Sequence, residues 1–224
     1  MHKLSSIVLF SLVILYNRIN NYMYKEGSVP MKTKLTYFGH ACFMLTHGDV
    51  SMIFDPFLTG NTWDIAKKED IKCQYIFVSH GHDDHYGDTE YLAKENDALV
   101  ISTAEIAGKA AAAGCRTHAM HLGGKFDFEF GSVRIVPAFH GAGIPGGHAA
   151  GCIVDFYGDI VYFAGDTALF LAASYVKARI SIPIHYKTWP VIDREPGVFT
   201  SLVEGKYNQT SLIIDPGSSI ELNS

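Results

Sequence analysis

The strongest constraint in this sequence is a short run of histidines and aspartates that directly follows an apolar segment. Residues 80 to 85 read His-Gly-His-Asp-Asp-His and come after residues 75 to 79, which are typical of a buried β-strand. In an extended segment, residues two apart point to the same side, so His80 and His82 can hold one cation together. Asp84 and His85 lie in the following turn, where they can reach a second cation.

The ordinary alternative for this motif is a solvated polar loop between a strand and a helix. Three imidazoles and a carboxylate are costly to crowd together unless a metal ion or solvent satisfies them. The spacing H-x-H-x-D-H also arises by chance in only about one in a thousand chains of this composition. We therefore interpret the motif as the centre of a metal site.

Three more polar residues occupy comparable positions, each at the end of an apolar run. They are His140, Asp166 and His185. An isolated histidine in such a place is more often an ordinary loop residue, so none of the three is informative alone. Together with residues 80 to 85, they complete a set of ligands large enough for two metal ions.

The spacing of apolar runs and turn residues predicts a mixed α/β chain. Runs at residues 35 to 38, 42 to 45 and 50 to 54, broken by glycine-containing turns, indicate an antiparallel meander. Helices are predicted after Asp88, after a capping box of Ser102 and Glu105, after Asp166, and at residues 196 to 204. Further strands are predicted at residues 75 to 79, 98 to 101, 126 to 130, 133 to 138, 152 to 156, 160 to 163, 180 to 184 and 212 to 214. Sheets with helices outside them form a layered α/β arrangement, in which ligands gather beyond strand ends.

The first 30 residues differ from the rest of the chain. Lys3 precedes an apolar run at residues 7 to 16, which resembles a signal peptide but is short for a membrane span of about 20 residues. Met31 stands directly before a well-patterned strand, so an upstream over-extension of the reading frame is the other open interpretation. Under both, residues 1 to 30 lie outside the fold and residues 31 to 224 form one domain. We expect a cytoplasmic location, with export or membrane anchoring as the alternative if residues 1 to 30 are a genuine signal.

Composition excludes several classes of protein. The chain has 224 residues, of which 48% are hydrophobic and 18% charged, a profile that fits one globular domain with a sizeable core. Its net charge of -5, with Lys and Arg dispersed, disfavours binding to nucleic acid or to anionic membranes. The four cysteines form no C-x-x-C pair, so we expect buried reduced thiols rather than a zinc ribbon or a disulfide framework.

The order of these motifs resembles the metallo-β-lactamase superfamily. The shared features are H-x-H-x-D-H, a later histidine, Gly165-Asp166-Thr167, and a histidine near the end. The flanking segments at residues 36 to 41, 55 to 61, 163 to 167 and 184 to 186 resemble its branch of uncharacterised metal-dependent hydrolases related to ascorbate-6-phosphate lactonase. The resemblance covers residues 31 to about 204.

The resemblance implies a four-layer αββα sandwich with two metal ions in a cleft along one sheet edge. It assigns His80, His82 and His140 to the first metal, Asp84, His85 and His185 to the second, and Asp166 to both. Imidazole and carboxylate ligands suit Zn²⁺, Mn²⁺ or Fe²⁺, and zinc is our first expectation. Two such ions can lower the pKa of a bridging water to near neutrality and so provide a hydroxide nucleophile, whose proton Asp84 could accept.

Three neighbouring residues are candidates for roles around the metals. Asp55 can accept a hydrogen bond from a ligand imidazole, although a turn-forming Asp before Pro56 explains the sequence equally well. The resemblance places His40 at the cleft as a catalytic residue, against the alternative of a surface turn. His148 follows two glycines and is a candidate for the substrate opening. The remaining histidines His47, His118 and His121 are interpreted as surface or structural residues.

The chain departs from the family between Asp166 and His185. Only 18 residues lie between them, where the family usually has a further strand, helix and glycine-rich loop, so the chain is shortened after Leu171. The strand before His185 would have to occupy the place of the lost strand, because neighbouring strands are about 4.8 Å apart and metal distances hold within about 0.2 Å. We therefore expect the first metal site to survive and the second to be weakened.

These features predict hydrolysis of an ester-like bond, a lactone or a phosphodiester, in a small-molecule substrate. Two alternatives stay open: a catalytically silent metal-binding protein and an iron oxidoreductase on the same scaffold. A nuclease is disfavoured because no basic arm for gripping RNA is visible. We expect no nucleic-acid partner and no stable membrane partner, and homo-oligomerisation stays open.

Overall fold

The structure is a computed structural model that describes residues 11 to 17, 31 to 167, 179 to 192 and 195 to 222. Within these residues, the strands form two seven-stranded sheets. The strands of the first sheet are β1 Ser11–Asn17, β8 Lys125–Phe128, β9 Gly131–Pro137, β10 Ala150–Phe156, β11 Asp159–Phe163, β12 Ile180–Ile184 and β13 Thr210–Ser211. Those of the second sheet are β2 Lys34–Gly39, β3 Cys42–His47, β4 Val50–Phe54, β5 Tyr75–Phe77, β6 Leu99–Thr103, β7 Thr117–Met120 and β14 Ser219–Glu221.

The two sheets differ in how their strands are ordered and paired. In the second sheet the order is β14-β2-β3-β4-β5-β6-β7, with an antiparallel meander from β2 to β4 and parallel pairing from β4 to β7. In the first sheet the order is β13-β12-β1-β11-β10-β9-β8. The α-helices of the described residues are α1 Asp83–Tyr86, α2 Thr89–Glu95, α3 Ala104–Ala112 and α4 Pro196–Tyr207, with short 3-10 helices at Lys68–Asp70 and Pro190–Ile192.

An apolar core fills the space between the two sheets. Phe43 stacks on Phe54 with ring centroids 4.2 Å apart, and Phe163 of the first sheet packs edge-on against both rings. All three side chains are fully buried, and each contributes roughly 1.5–3 kcal/mol through burial. A second apolar cluster, which includes Leu92 of α2 and Ile106 of α3, covers the outer face of the second sheet. Helix α4 packs against β12 and β13, so the layered αββα arrangement is confirmed.

Most predicted elements are present, with shifted ends. The meander and the strands that precede the polar motifs are confirmed. The predicted capping box is wrong: α3 begins after Thr103 without a side-chain cap, and the Ser102 hydroxyl instead donates to the Val78 carbonyl at 2.6 Å. The helix predicted after Asp166 lies outside the described residues. No helix of the described part of the chain is long and apolar enough to span a membrane.

The N-terminal segment corrects the expectation that residues 1 to 30 lie outside the fold. Ser11–Asn17 forms β1, which pairs antiparallel with both β11 and β12. The physical reason is that β11 and β12 run parallel and are not paired with each other, so their facing backbone groups form hydrogen bonds with a strand inserted between them. The continuous apolar run at residues 12 to 15 is typical of a strand in the interior of a sheet. The correction applies to these described residues of the N-terminal segment.

Candidate metal centre

The predicted site residues all follow strand ends at one edge of the two sheets. His40 follows β2, Asp55 follows β4, residues 80 to 85 follow β5, His140 follows β9, Asp166 follows β11, and His185 follows β12. The fold brings these six segments together although the first and last lie 145 positions apart in the chain. Convergence at the ends of strands is the common location of a ligand site in a layered α/β fold.

His80, His82 and His140 form a first group of candidate metal ligands, called the first ligand cluster. One nitrogen of each ring lies within 4.8 Å of the others, and Nε2 of His80 is 2.9 Å from Nδ1 of His82. The glycine-rich loop after His140 lies directly on this turn, since the Gly81 N–H donates to the Ala142 carbonyl at 2.8 Å. A side chain at Gly143 would collide with the backbone nitrogen of His82. The close approach of two backbones therefore holds the three imidazoles together.

Asp84, His85 and His185, the three ligands that the resemblance implies for the second metal, lie together with His40 in a group of candidate ligands, called the second ligand cluster. One nitrogen or carboxylate oxygen of each lies within 4.8 Å of the others. The backbone N–H of His185 donates to the carbonyl of His40 at 2.7 Å, and the two rings lie 3.9 Å apart between centroids. The imidazole of His185 is therefore held inside the cluster, in spite of the short connection that precedes it.

Asp166 lies between the two clusters. Its Oδ2 is 3.3 Å from Nε2 of His85 and 3.2 Å from Nε2 of His185 in the second cluster. The same oxygen is 3.7 Å from Nε2 of His140 in the first cluster. The carboxylate is almost fully buried. This is the location that the resemblance implied for a ligand shared by two cations.

Buried nitrogens without a well-oriented hydrogen bond test whether these residues fit a metal. Among the buried side-chain atoms of the described residues, Nε2 of His85 and both ring nitrogens of His185 make no well-oriented hydrogen bond, although Asp166 Oδ2 lies within 3.3 Å of both Nε2 atoms. A buried polar atom without a partner costs about 1–3 kcal/mol. A divalent cation would satisfy Nε2 of both rings, and a set of imidazoles and carboxylates without thiolate suits zinc, manganese or iron. The residues present therefore fit the expected metals.

Asp55 orients two of the candidate ligand imidazoles through the ring nitrogens that face away from the clusters. Its Oδ2 is 2.6 Å from Nδ1 of His85 and accepts a hydrogen bond from the Ser79 hydroxyl at 2.5 Å. Because the hydroxyl proton is used in that bond, Nδ1–H of His80 donates to Ser79 Oγ at 2.9 Å. Both rings thus turn Nε2 towards the clusters. Sequence reasoning missed Ser79, whose only signal is its place at the strand end before the motif.

The electrostatics of the site separate neutral from charged groups. Burial lowers the pKa of His80 to about 2 and the pKa of His40 to about 4, so both rings are neutral at pH 7. Burial also opposes a charge on His85, but the carboxylates of Asp166 and Asp55 outweigh it and raise the pKa to about 10. Burial alone would raise the pKa of Asp166, yet His85 and His185 hold it well below its usual range. Binding of a cation at Nε2 of His85 therefore competes with the proton that these two carboxylates favour.

Three residues of the site have left-handed backbone conformations that favour glycine. The φ angles are 55° at His40, 40° at Asp55 and 63° at His185. A non-glycine residue in this region costs of order 1–3 kcal/mol and persists only where surrounding contacts enforce it. Here those contacts are the hydrogen bonds of the site itself, such as the bond from the His185 N–H to the His40 carbonyl.

Among the described residues, the other histidines belong to neither cluster. His47 stacks on Tyr157 with centroids 4.4 Å apart, and His118 packs on Phe126 at 4.1 Å, which fits their interpretation as structural residues. His148 is exposed in the loop after His140, and its role at the substrate opening stays a prediction. All four cysteines are free thiols, of which Cys115 is only partly buried.

Comparison with known proteins gives the family. A model of the metallo-beta-lactamase superfamily matches residues 35 to 178. A UPF0173 metal-dependent hydrolase from Natranaerobius thermophilus is 40% identical over 221 residues, with 85% of this chain and 100% of the relative covered. Another from Anoxybacillus flavithermus is 37% identical over 228 residues, with 84% of this chain and 100% of the relative covered. Both alignments are longer than the part of this chain that they cover, so both relatives have residues that this chain lacks.

A solved structure agrees with the fold. Igni18, a metallo hydrolase from the archaeon Ignicoccus hospitalis, superposes with a TM-score of 0.77 at 23% identity and covers 86% of this chain and 99% of its own. The finer relation to ascorbate-6-phosphate lactonase stays a prediction. From the family match and the two curated relatives, the chain belongs to the metallo-β-lactamase superfamily and, within it, to the UPF0173 metal-dependent hydrolases.

Proposed function

We propose that the protein hydrolyses an ester-like bond, a lactone or a phosphodiester, in a small substrate. The observation that carries the proposal is the pair of ligand clusters on either side of Asp166. Two divalent cations bound there would supply a water molecule acidic enough to ionise near neutral pH and would polarise the scissile group. We infer zinc as the metal, with manganese or iron as the alternatives, because imidazoles predominate among the ligands.

Asp84 is placed to accept the proton of the attacking water. Its side chain is 27% exposed at the open side of the second cluster. Burial would raise the pKa of Asp84, but the hydrogen bond from His40 and the charge on His85 lower it below its usual range, so the group is ionised. An ionised carboxylate facing the cleft can take a proton and then deliver it to the leaving oxygen.

His40 supports this role as a positioning residue. Its side chain is fully buried, so it does not contact a substrate in the cleft. Nε2 lies 3.1 Å from Asp84 Oδ2, and Nδ1 lies 2.9 Å from the Thr188 hydroxyl. Since the ring is neutral, Nε2–H donates to Asp84 while Nδ1 accepts from Thr188. The hydrogen bond fixes the direction in which the Asp84 carboxylate points.

We infer that the substrate has an apolar part, because an exposed aromatic residue is adjacent in the chain to a candidate ligand. Phe139, next to the ligand His140, is 87% exposed. Its backbone N–H donates to the Thr167 hydroxyl oxygen at 3.3 Å. This bond holds the backbone of Phe139 next to Thr167, the residue that follows Asp166. Ile144 of the same loop packs against the apolar cluster beneath helix α3. An acyl or aryl group could contact Phe139 while its ester linkage faces the two ligand clusters.

The test uses the full chain, stripped of metal and reloaded with zinc or manganese. A panel of lactones and phosphodiesters is assayed with the wild type, with Asp84→Asn and with Asp83→Asn. We expect Asp84→Asn to lower kcat/KM by about 10²–10⁴-fold. Asp83 is exposed in the same turn, so Asp83→Asn should keep the wild-type rate. Equal rates for Asp84→Asn and the wild type, or equal rates for loaded and stripped protein, would contradict the proposal.

The same experiment addresses the other predicted functions and the location. Two bound metals without turnover of any substrate would indicate the silent metal-binding protein, and retained iron with oxygen uptake would indicate the oxidoreductase. We also infer a cytoplasmic location, which is supported by the free thiols of Cys42, Cys73 and Cys152 in the core.

A further inference from the structure

In the first sheet, β11 and β12 are consecutive in the chain but are not neighbours. The N-terminal strand β1 lies between them. Both strands pair antiparallel with β1 and therefore run parallel to each other. Strands on either side of a third are about 9.6 Å apart, twice the spacing of direct neighbours. We propose that the N-terminal strand β1 is a positioning element of the metal centre, which completes the second ligand cluster by holding β12, and with it His185, at the correct distance from Asp166.

The register of β1 carries this inference. Val13 is opposite Phe163 on one side and opposite Ile182 on the other. Asp166 lies three positions after Phe163, and His185 lies three positions after Ile182. Asp166 and His185 therefore follow the two neighbours of β1 at the same height along the strands. Their side chains meet beyond the sheet edge, where Asp166 Oδ2 is 3.2 Å from His185 Nε2.

Without β1, this geometry would be lost. The edges of β11 and β12 would have unpaired backbone groups, and direct pairing of the two strands would satisfy them. That pairing would move β12 by about 4.8 Å, whereas metal–ligand distances tolerate about 0.2 Å. The first cluster would not be affected in the same way, because none of its three histidines follows β12.

The residues of β12 whose backbone groups face β1 can all form hydrogen bonds to it. The Leu212 N–H donates to the Ser181 carbonyl at 2.9 Å, so Ser181 faces β13. Because successive residues of a strand face opposite neighbours, Ile182 faces β1 and Pro183 faces the β13 side. The pairing between β12 and β13 ends at Ser181. The missing N–H of Pro183 therefore costs no hydrogen bond to β1.

The same alternation supplies a matched pair of variants. Val13 is opposite Ile182, so its N–H faces β12, and Val13→Pro removes one bond of that ladder. Asn17 faces the same side but lies beyond Leu15, the last residue of β1 paired with β12. Asn17→Pro therefore introduces the same residue into the same strand without removing a ladder bond.

Two measurements on the full chain test the proposal. The first is the zinc content of wild type, Val13→Pro and Asn17→Pro after dialysis. We expect Val13→Pro to retain one metal per chain where the wild type and Asn17→Pro retain two. The second is hydrogen exchange of the metal-free wild type, in which the amides of residues 12 to 15 should exchange at least about 100-fold more slowly than in an unstructured peptide.

The outcomes separate this inference from the proposed function. Retention of both metals by Val13→Pro, or rapid exchange of residues 12 to 15 in folded protein, would overturn it. The exchange measurement does not depend on metal or on Val13→Pro folding. If a wild type that binds no metal still protects these amides, β1 is a strand of the sheet, and the failure lies with the proposed function.

Discussion

In the first ligand cluster, His80 and His82 come from one turn, and His140 comes from a loop that rests directly on that turn. In the second cluster, Asp84 and His85 come from the same turn, but His185 arrives on β12, which is held through β1. A ligand set fixed by local backbone contacts tolerates changes elsewhere in the sheet. A set that depends on the spacing of three strands does not, so we expect the second cluster to bind its cation more weakly.

Asp166→Asn gives the largest expected effect, because it changes a residue that lies between both clusters. The substitution keeps the shape of the side chain but removes the charge that faces His85, His140 and His185. We expect metal binding to weaken at both clusters and hydrolysis to fall by more than about 10³-fold, since each cation loses a ligand. Metal content and kcat/KM measure this. Loss of only one metal would show that Asp166 belongs to a single cluster.

His140→Ala and His185→Ala test the two clusters separately. Each removes one imidazole from one cluster, so each variant should retain the cation of the other. We expect the dissociation constant of the affected cation to rise by at least about 100-fold. This is more than is typical when a residue that only hydrogen-bonds to a ligand is lost. Zinc titration by calorimetry gives both constants. If the wild type binds both cations with equal affinity, or if His140→Ala weakens only the second cation, the proposed difference between the clusters is wrong.

Asp55→Asn and Ser79→Ala should give the smallest effects, because neither residue is itself in a ligand cluster that faces the cleft. Asp55 supports His85 directly and His80 through Ser79, so Asp55→Asn should weaken both cations by about 10–100-fold. Ser79→Ala removes only the link to His80 and should weaken the first cation alone, towards the lower end of that range. Equal loss of both cations in Ser79→Ala would contradict the separation.

The sequence was informative where a signal is local. Residues 80 to 85 carry their own spacing, and His140, Asp166 and His185 each follow an apolar run, so strand ends sufficed to predict their convergence. Asp55 follows a strand in the same way, and the structure shows that it both turns the chain, through a bond from the Phe57 N–H to its carbonyl, and supports His85. Neither interpretation of Asp55 excluded the other.

The features that were missed depend on distant parts of the chain. Residues 12 to 15 are apolar in a signal peptide and in a central strand alike, and only the gap between β11 and β12 distinguishes the two. Strand β14 is three residues long at a sheet edge and has its register from Leu35 and its neighbours in β2. Ser79 carries no metal-binding signal of its own. In each case the partner, rather than the residue, determines the structure.

The left-handed conformations of His40, Asp55 and His185 have a consequence for how this protein can change. Glycine adopts such conformations freely, whereas a histidine or aspartate must be forced into them by its neighbours. At these positions, replacement by glycine should therefore harm the fold less than replacement by alanine, although both remove the side chain that the site requires. A drift towards glycine would be the easiest path by which a descendant of this chain could keep its architecture and lose its reaction.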